Sequence, residues 1–290
     1  MDKAERTATI GTVIALIVGT LLGLAGSDGG SELGGLPVFL LLTIIAFGVN
    51  VAAFVPSFLL RTEHYYDLVG SMTYIGTAIL ALVLSDGLDR RSVIIGVLVL
   101  IWAGRLGSFL FRRVKRVGKD GRFDKIKQSF PRFLTMWVVQ GLWVTATASA
   151  AYAAITSGSK QSFGVLGIIG LAIWVAGFTI EVIADRQKTA FKKDAANNGK
   201  FINTGLWAWS RHPNYFGEIT LWTGMALIAL PALQGWQYAT LISPLFVYFL
   251  LTRISGVTML ERRSDKKWGG EADYETYKAT TPVLVPQPPK

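Results

Sequence analysis

The sequence contains no cysteine and only two histidines among its 290 residues. Disulfide bonds, thiolate catalysis and cysteine-ligated metals are therefore excluded, and a metal site built from histidines is not expected, so we predict no metal site. Acids are also few, since 19 Asp and Glu stand against 29 Lys and Arg for a net charge of +10. A basic balance of this size can indicate nucleic-acid binding, but a hydrophobic fraction of 51% indicates a membrane protein instead.

Apolar residues occur in long runs, each close to the ~20 residues that cross a bilayer as a helix. We predict an all-α polytopic membrane bundle of about eight transmembrane helices, with a cofactor pocket on its cytoplasmic side. The N-terminal segment 1–26 is interpreted as containing a retained span, because it carries two acids and no small-x-small cleavage motif of a signal peptide. The predicted spans are 9–25, 36–60, 68–84, 93–111, 133–155, 163–183, 217–232 and 238–258.

Most Lys and Arg residues lie on one side of this predicted topology. The loop 26–35 carries acids and no Lys or Arg, whereas the loop 112–132 is densely basic. Because the cytoplasmic loops of membrane proteins collect Lys and Arg, we predict that both termini are cytoplasmic. The same bias accounts for the net charge, so no nucleic-acid partner is predicted.

One polar stretch, Gly199–Glu218 (GKFINTGLWAWSRHPNYFGE), lies between two apolar runs. So many polar groups near membrane depth need a partner or a cavity. Pro213 suits the first turn of a helix, whose free N–H groups attract phosphate or carboxylate. We predict a polar pocket here, at the cytoplasmic membrane surface. Its candidate cofactor-binding residues are Asn203, Trp209, Arg211, His212, Asn214, Tyr215 and Glu218.

Further polar residues stand inside predicted spans or at their ends. Glu181 and Asp185 are four residues apart and share one helix face, where a carboxylate can accept from ribose hydroxyls or a nicotinamide amide. The alternative is that they pair with neighbouring cations. Arginines bind oxyanions through forked hydrogen bonds, so the basic run after the fourth span is either a phosphate site or a topology signal alone. The additional cofactor candidates are Arg105, Arg112, Arg113, Arg116, Arg122, Lys188, Arg253 and Glu261.

Arg253 lies near the end of the last predicted span, and Glu261 follows eight residues later. If the helix continues, the two residues are about two turns apart. The alternative is that Arg253 only extends its charged end to the membrane interface. The proline-rich segment 281–290 is expected to be loose.

The turn 61–67 carries Glu63, His64, Tyr66 and Asp67 at the entry to the third span. An isolated charge at bilayer depth is costly, so these groups are expected at the interface or in a cavity. Tyr66 and Asp67 are the candidate catalytic acids. The alternatives are a solvated turn with interfacial tyrosines, or an Asp67 that pairs with an arginine to close the bundle.

At RHPNYFGE, taken with Glu261-Arg262 and the Tyr274…Tyr277…Pro282 tail, the chain resembles the bacterial DUF1295 proteins, relatives of the steroid 5-alpha-reductase C-terminal domain. The wider group includes membrane sterol reductases and isoprenylcysteine carboxyl methyltransferases. The resemblance implies N-terminal spans over 1–60, a catalytic membrane domain over 61–286, a tail over 287–290, and a bacterial inner membrane location. The other motifs that carry it are RTEHYYDLVGS, IWAGRLGSFLFRR, GKDGRFD, IEVIADRQK and LERRSDKKWG.

The resemblance implies an NADPH-dependent membrane reductase acting on an activated C=C bond of a steroid-like or other apolar lipid. Asp185, Asn214 and Glu218 match reductase positions that face NADPH, while Arg105 with the arginines after it and Arg253 match basic positions. Trp102 stands where the animal steroid reductases have a tyrosine thought to hold the substrate ketone. An indole N–H donates a hydrogen bond but no proton, and this is why the catalytic acid is sought at residues 66 and 67.

Two other functions fit parts of the sequence. An S-adenosylmethionine-dependent methyltransferase of a lipid or prenylated thiol would use Arg211-His212-Pro213, Tyr215 and Glu261, but its cofactor has no phosphates and does not need the arginines of 112–122. The function of a lipid-binding or structural membrane protein would not explain the polar clusters within the apolar runs.

Overall fold

The computed structural model describes residues 1–117 and 123–289, with the backbone alone for 113–117. The described chain is a bundle of helices, which confirms the predicted all-α fold class. Within these residues, the paired strands are one short hairpin of β1 (Glu32–Leu33) and β2 (Leu36–Pro37). The helices are α1 (Lys3–Gly26), α2 (Val38–Leu59), α3 (Tyr66–Leu84), α4 (Arg90–Val117), α5 (Phe130–Thr147), α6 (Ser149–Thr156), α7 (Val165–Lys193), α8 (Leu206–Trp209), α9 (Pro213–Ala229), α10 (Ser243–Phe249), α11 (Val257–Trp268) and α12 (Ala272–Thr280).

Six helical segments of the described chain are long and apolar enough to cross a membrane, or seven if α5 and α6 form one span bent by 56°. The chain is therefore a multi-pass membrane protein. The predicted span 217–232 falls on α9, whose 17 residues rise only ~26 Å at 1.5 Å per residue. That length is slightly less than the ~30 Å of a bilayer core.

Helix α1 begins at a capping box. The Asp2 carboxylate accepts from the backbone N–H of Glu5 at 2.8 Å, and the Glu5 carboxylate accepts from that of Asp2 at 3.2 Å. Two N–H groups that no helical carbonyl can reach are thereby satisfied. At the other end of α1, a Cβ on Gly26 would overlap the ring of Phe39, so this glycine lets α1 and α2 approach closely.

The chain divides into two compact units, which are described separately. Unit 1 comprises Met1–Gly167 and Ile228–Ser243, and unit 2 comprises Ile168–Leu227 and Pro244–Lys290. The core of unit 1 includes an aromatic cluster of Phe54, Tyr66, Phe123, Phe133 and Trp137. The predicted division at residues 60 and 286 follows a different criterion, likeness to a catalytic domain, and stays a prediction.

The fifth predicted span, 133–155, consists of two helices that break at Ala148. A break at membrane depth must satisfy the backbone groups that it frees. The Ser149 hydroxyl donates to the carbonyl of Thr240 at 2.8 Å, and the Ser243 hydroxyl donates to that of Thr147. Both contacts lie within unit 1 and hold the bend.

The last predicted span is also interrupted, in unit 2. A π-helical turn over Leu250–Ile254 ends at Ser255, whose N–H donates to the carbonyl of Leu250 at 2.9 Å. A Cβ on Gly256 would lie only 2.2 Å from the Leu251 carbonyl oxygen, so glycine is required there. The helix therefore does not continue unbroken from Arg253 to Glu261, since α11 begins anew at Val257.

Candidate functional site

Two helices of unit 2, α7 and α9, touch through their backbones. A Cβ on Gly217 would lie 2.6 Å from both the Glu181 nitrogen and the Gly177 oxygen, and one on Gly224 would lie 2.5 Å from the Trp174 nitrogen. Contacts this short exist only because the residues are glycines, the usual device of close helix pairs in membranes. The contact fixes the height of the polar residues on α7 relative to those on α9.

Four predicted site residues lie at this contact. Glu181 and Asp185 are buried one turn apart on α7, and Glu218 is buried one turn after Asn214 on α9. The Asn214 amide donates to the Asp185 carboxylate at 3.3 Å. A buried carboxylate is tolerated only when hydrogen-bonded or paired, and such a group can accept hydrogen bonds from the amide or hydroxyl groups of a ligand. We call these four residues the carboxylate cluster.

The segment before α9 forms a second polar group with α11. Glu261 accepts from His212 Nε2 at 2.8 Å and from Arg211 Nη2 at 2.9 Å, while Arg211 Nη1 donates to the carbonyl of Lys278 at 2.6 Å. The start of α9 at Pro213 is as predicted. Three predicted residues from two distant parts of the sequence are thus joined in one hydrogen-bonded network.

His212 is 5% exposed. Burial lowers the pKa of its imidazole, against the opposing effect of the hydrogen bond to Glu261, so the ring is neutral near pH 7. Because the Glu261 carboxylate accepts from both neighbours, the ring proton is assigned to Nε2. Nδ1 is therefore a bare acceptor, and it has no hydrogen-bond partner among the described residues.

A cavity of about 280 Å³ opens beside this network. Its lining contains six cations and, among the described residues, one carboxylate, Glu261, which Arg211 and His212 already engage. The net charge of the lining is strongly positive, as an anionic ligand requires. The cations are Lys188, Lys192, Lys200, Arg211, Arg263 and Lys267.

Aromatic side chains form much of the remaining cavity wall. Phe201 stacks on Tyr277 with ring centroids 5.3 Å apart and meets Tyr274 and Trp268 at 5.3 and 5.9 Å. Lys188 Nζ lies 4.2 Å from the centroid of Trp207, a cation–π distance. Burial raises the pKa of Tyr277 above its usual value, so its hydroxyl stays protonated and donates to the Trp207 carbonyl at 2.7 Å.

Residues 281–287, which we call the C-terminal strap, pair with the segment before His212. The Arg211 N–H donates to the Pro282 carbonyl at 2.9 Å, and the Ser210 hydroxyl donates to that of Leu284 at 2.8 Å. The Gln287 N–H donates in turn to the carbonyl of Trp209 at 2.9 Å. The expectation of a loose tail is therefore wrong over this range, because its backbone is hydrogen-bonded to the site.

The other predicted residues of unit 2 lie in different surroundings. Tyr215 stacks on His212 with an interplanar angle of 8°. Asn203 lines a separate open groove, Trp209 is 43% exposed, and Arg253 is exposed in the π-helical turn. Lys188 lines the cavity as described above. A cofactor role for each of these residues stays a prediction.

The predicted residues of unit 1 belong to its own packing. The Tyr66 hydroxyl donates to the Met136 carbonyl at 2.9 Å within the aromatic cluster, and Asp67 is half-buried in the first turn of α3. Arg105 lies with its guanidinium 5.3 Å from the Phe109 ring, and Arg112 is exposed. Arg122 lies outside the described residues, as do the side chains of Arg113 and Arg116.

Several cavity residues were not predicted from the sequence. They come from the end of α7, from the loop before α8 and from α11 and α12. Their sequence signal was weak, namely aromatic residues that recur between cations after Glu261. A stretch of this kind is also what a solvated amphipathic helix shows, so the sequence alone does not separate the two. The missed residues are Lys192, Lys200, Phe201, Arg263, Lys267, Trp268, Tyr274 and Tyr277.

Comparison with known proteins gives one family and several distant relatives. A family model described as "Protein of unknown function (DUF1295)" matches residues 53–281. An uncharacterized protein of Schizosaccharomyces pombe is 28% identical over 197 residues, covering 58% of this chain and 57% of that protein. Similarity also extends to 3-oxo-5-alpha-steroid 4-dehydrogenase 1 of Bos taurus, 26% identical over 119 residues, and to steroid 5-alpha-reductase DET2 of Gossypium hirsutum, 29% identical over 119 residues.

Each match to the two steroid enzymes covers 41% of this chain and 41% of the relative. The chain therefore spans between two fifths and three fifths of the length of these relatives. No solved structure matches the chain significantly.

Proposed function

The chain belongs to the DUF1295 family, and on that premise we propose that it is an NADPH-dependent membrane reductase of an activated C=C bond in a steroid-like or other apolar lipid. Three features support the proposal: the similarity to two steroid 5-alpha-reductases, the multi-pass helical bundle and the cavity of unit 2. The positive lining of that cavity carries the proposal, because a dinucleotide brings its phosphates as anions.

The residues present fit such a nucleotide. Lys200, Arg263 and Lys267 offer positive charge to phosphate oxygens, the rings of Phe201 and Trp268 offer flat apolar surface to a base, and His212 Nδ1 offers a buried acceptor. When bound, the reduced nicotinamide supplies a hydride for the β-carbon of an enone.

The carboxylate cluster has a different role in this proposal. Asp185 already accepts from the Asn214 amide, and its neighbours Glu181 and Glu218 can accept from a carboxamide. Negative charge would repel phosphate, so the cluster suits the nicotinamide end of the nucleotide. By holding the nicotinamide in one orientation, a protein uses the binding energy of the cofactor to raise the rate of the reaction.

Reduction of an enone places negative charge on the carbonyl oxygen, and a proton donor is needed there. We retain Tyr66 and Asp67 as the proposed catalytic pair. The Tyr66 hydroxyl is held by the Met136 carbonyl at 2.9 Å, so Asp67 is the proposed proton donor and Tyr66 supports it. We also propose that both termini and the nucleotide cavity lie on the cytoplasmic side, where the charge bias places them.

We expect purified protein in nanodiscs to bind NADPH and not S-adenosylmethionine in titration calorimetry. The reason is the charge of the cavity, since S-adenosylmethionine carries a cationic sulfonium and no phosphate. Deuteride transferred from labelled NADPH to an enone lipid, detected by mass spectrometry, would establish the reaction. If the protein binds S-adenosylmethionine and does not bind NADPH, the methyltransferase function is favoured. The hydrogen-bonded pair of His212 and Glu261 would be consistent with that function as well.

We expect Asp67→Asn to slow single-turnover hydride transfer by about 100-fold or more, in line with a lost general acid, and to leave NADPH affinity within about twofold. This split indicates lost transition-state stabilisation. The exposed Asp124→Asn is the matched control and should match the wild type. Unchanged single-turnover rates in Asp67→Asn would end the proton-donor proposal, and a joint loss of affinity and thermal stability would make Asp67 structural.

A further inference from the structure

Helix α11 carries two pairs of cations, each with a spacing of four residues. Arg262 and Lys266 form one pair, and Arg263 and Lys267 form the other. All four side chains are exposed, but only Arg263 and Lys267 line the cavity. Residues four apart on a helix present their side chains together, so the second pair offers two positive charges to one ligand group.

The surroundings of this pair suit an adenosine bearing an additional phosphate. Trp268 and Phe201, with ring centroids 5.9 Å apart, provide apolar ring surfaces beside the two cations. Lys200 lines the same cavity, and the buried His212 Nδ1 is an acceptor without a partner among the described residues. An acceptor of this kind fits a ribose hydroxyl or the exocyclic amine of adenine, both of which donate.

The charge of the two polar groups in unit 2 assigns an end of the nucleotide to each. The carboxylate cluster on α7 and α9 disfavours phosphate, whereas the cavity lining favours it. Glu261 offsets the charge of Arg211, with which it pairs, and the five other cations of the lining leave the cavity strongly positive. A monoester phosphate carries about −1.5 to −2 charge at pH 7, so the cavity is where such a group is best stabilised.

We propose that this cavity receives the adenosine end of the dinucleotide, and that Arg263 and Lys267 bind its 2′-phosphate and thereby select NADPH over NADH. The inference rests on the proposed function and goes beyond it, since reduction itself needs only the nicotinamide. The two cations act as specificity determinants, remote from the reacting atoms.

The test compares two double variants of the full-length protein in nanodiscs. Arg263→Gln/Lys267→Gln removes the pair that lines the cavity, and Arg262→Gln/Lys266→Gln removes the same charge from the same helix outside the cavity. The probes are NADPH, NADH, adenosine 2′,5′-bisphosphate and adenosine 5′-monophosphate, each titrated by calorimetry. The last two differ only in the 2′-phosphate and need no nicotinamide site or activity.

Hydrogen bonds to charged groups typically contribute enough for about a tenfold change in affinity or more each. We therefore expect the cavity-lining variant to lose at least about tenfold in affinity for NADPH and for the bisphosphate, with NADH and the monophosphate changed less than about threefold. The control variant should keep the wild-type ratios. Thermal melting curves of both variants verify that they are folded. For the wild type, added salt should lower the affinity for the bisphosphate more than the affinity for the monophosphate.

Different failures lead to different conclusions. If both double variants bind NADPH as tightly as the wild type does, with the same ratio of NADPH to NADH affinity, the 2′-phosphate assignment is overturned. The reductase proposal then still stands. Equal losses in the two double variants also overturn the 2′-phosphate assignment, because they indicate a general charge effect. A wild-type protein that binds neither dinucleotide nor the bisphosphate overturns this inference and the proposed function together.

Discussion

A Gly217→Ala variant is expected to lose thermal stability and nucleotide affinity together. The new Cβ would lie 2.6 Å from two backbone atoms of α7, and neither atom can turn away as a flexible side chain would. The helices must separate, at a cost of ~1–3 kcal/mol or more for an overpacked contact. Glu181 lies at the contact, and Asn214 lies three residues before Gly217. The separation of the two helices therefore also displaces the carboxylate cluster.

The matched control is Gly48→Ala in the middle of α2, where an added Cβ meets nothing within 4 Å. Alanine is the better helix former by up to ~1 kcal/mol, so this variant should melt at or above the wild-type temperature. Melting curves and NADPH titrations of the two variants provide the comparison. A Gly217→Ala protein as stable as Gly48→Ala would show that α7 and α9 do not touch as described.

Removal of the Glu261 carboxylate should have the second large effect. Glu261→Ala leaves the guanidinium of Arg211 and the imidazole of buried His212 without their shared acceptor. Breaking a buried ion pair costs ~3–5 kcal/mol, and the lower end applies because the Glu261 side chain is 20% exposed. We expect a lower melting temperature and loss of measurable NADPH binding, since both residues then reorient at the cavity wall.

The control lies one turn further along the same helix. Asp265 accepts from Lys278 at 2.6 Å and from Tyr274 at 2.9 Å, but its side chain is 43% exposed. Exposed pairs contribute little because water and salt screen them, so Asp265→Ala should melt close to the wild type. If both variants melt alike, the network of Glu261 is no more important than a surface pair.

Much of the fold could be predicted because hydropathy is a local property of the sequence. Runs of apolar residues located the spans, and Pro213 located the start of α9. The breaks at Ala148 and at Gly256 could not be found in this way, since they depend on a hydrogen bond and on a close backbone contact that hydropathy does not report. Ser149 bonds to Thr240, and Gly256 is required by the backbone turn at Leu251.

The grouping of the candidate residues was predictable where one motif carries them. Arg211, His212 and Asn214 were chosen as candidates from a single polar stretch, and Asp185 from its spacing on one helix face. Arg263 and Lys267 were not identified, because charge alone does not tell which face of α11 turns to a cavity. That face is fixed only once Glu261 binds His212, a contact between residues 49 positions apart.

The pairing of the C-terminal strap has a consequence for biosynthesis. Ser210 and Leu284 are 74 residues apart, and the membrane-crossing segment Gly235–Trp268 lies between them. At ~5–20 residues per second, the ribosome needs roughly 4–15 s to deliver the strap after residue 210 is made. During that interval the segment before His212 lacks the strap, so this part of the candidate site forms only after the segment Gly235–Trp268 has been synthesised.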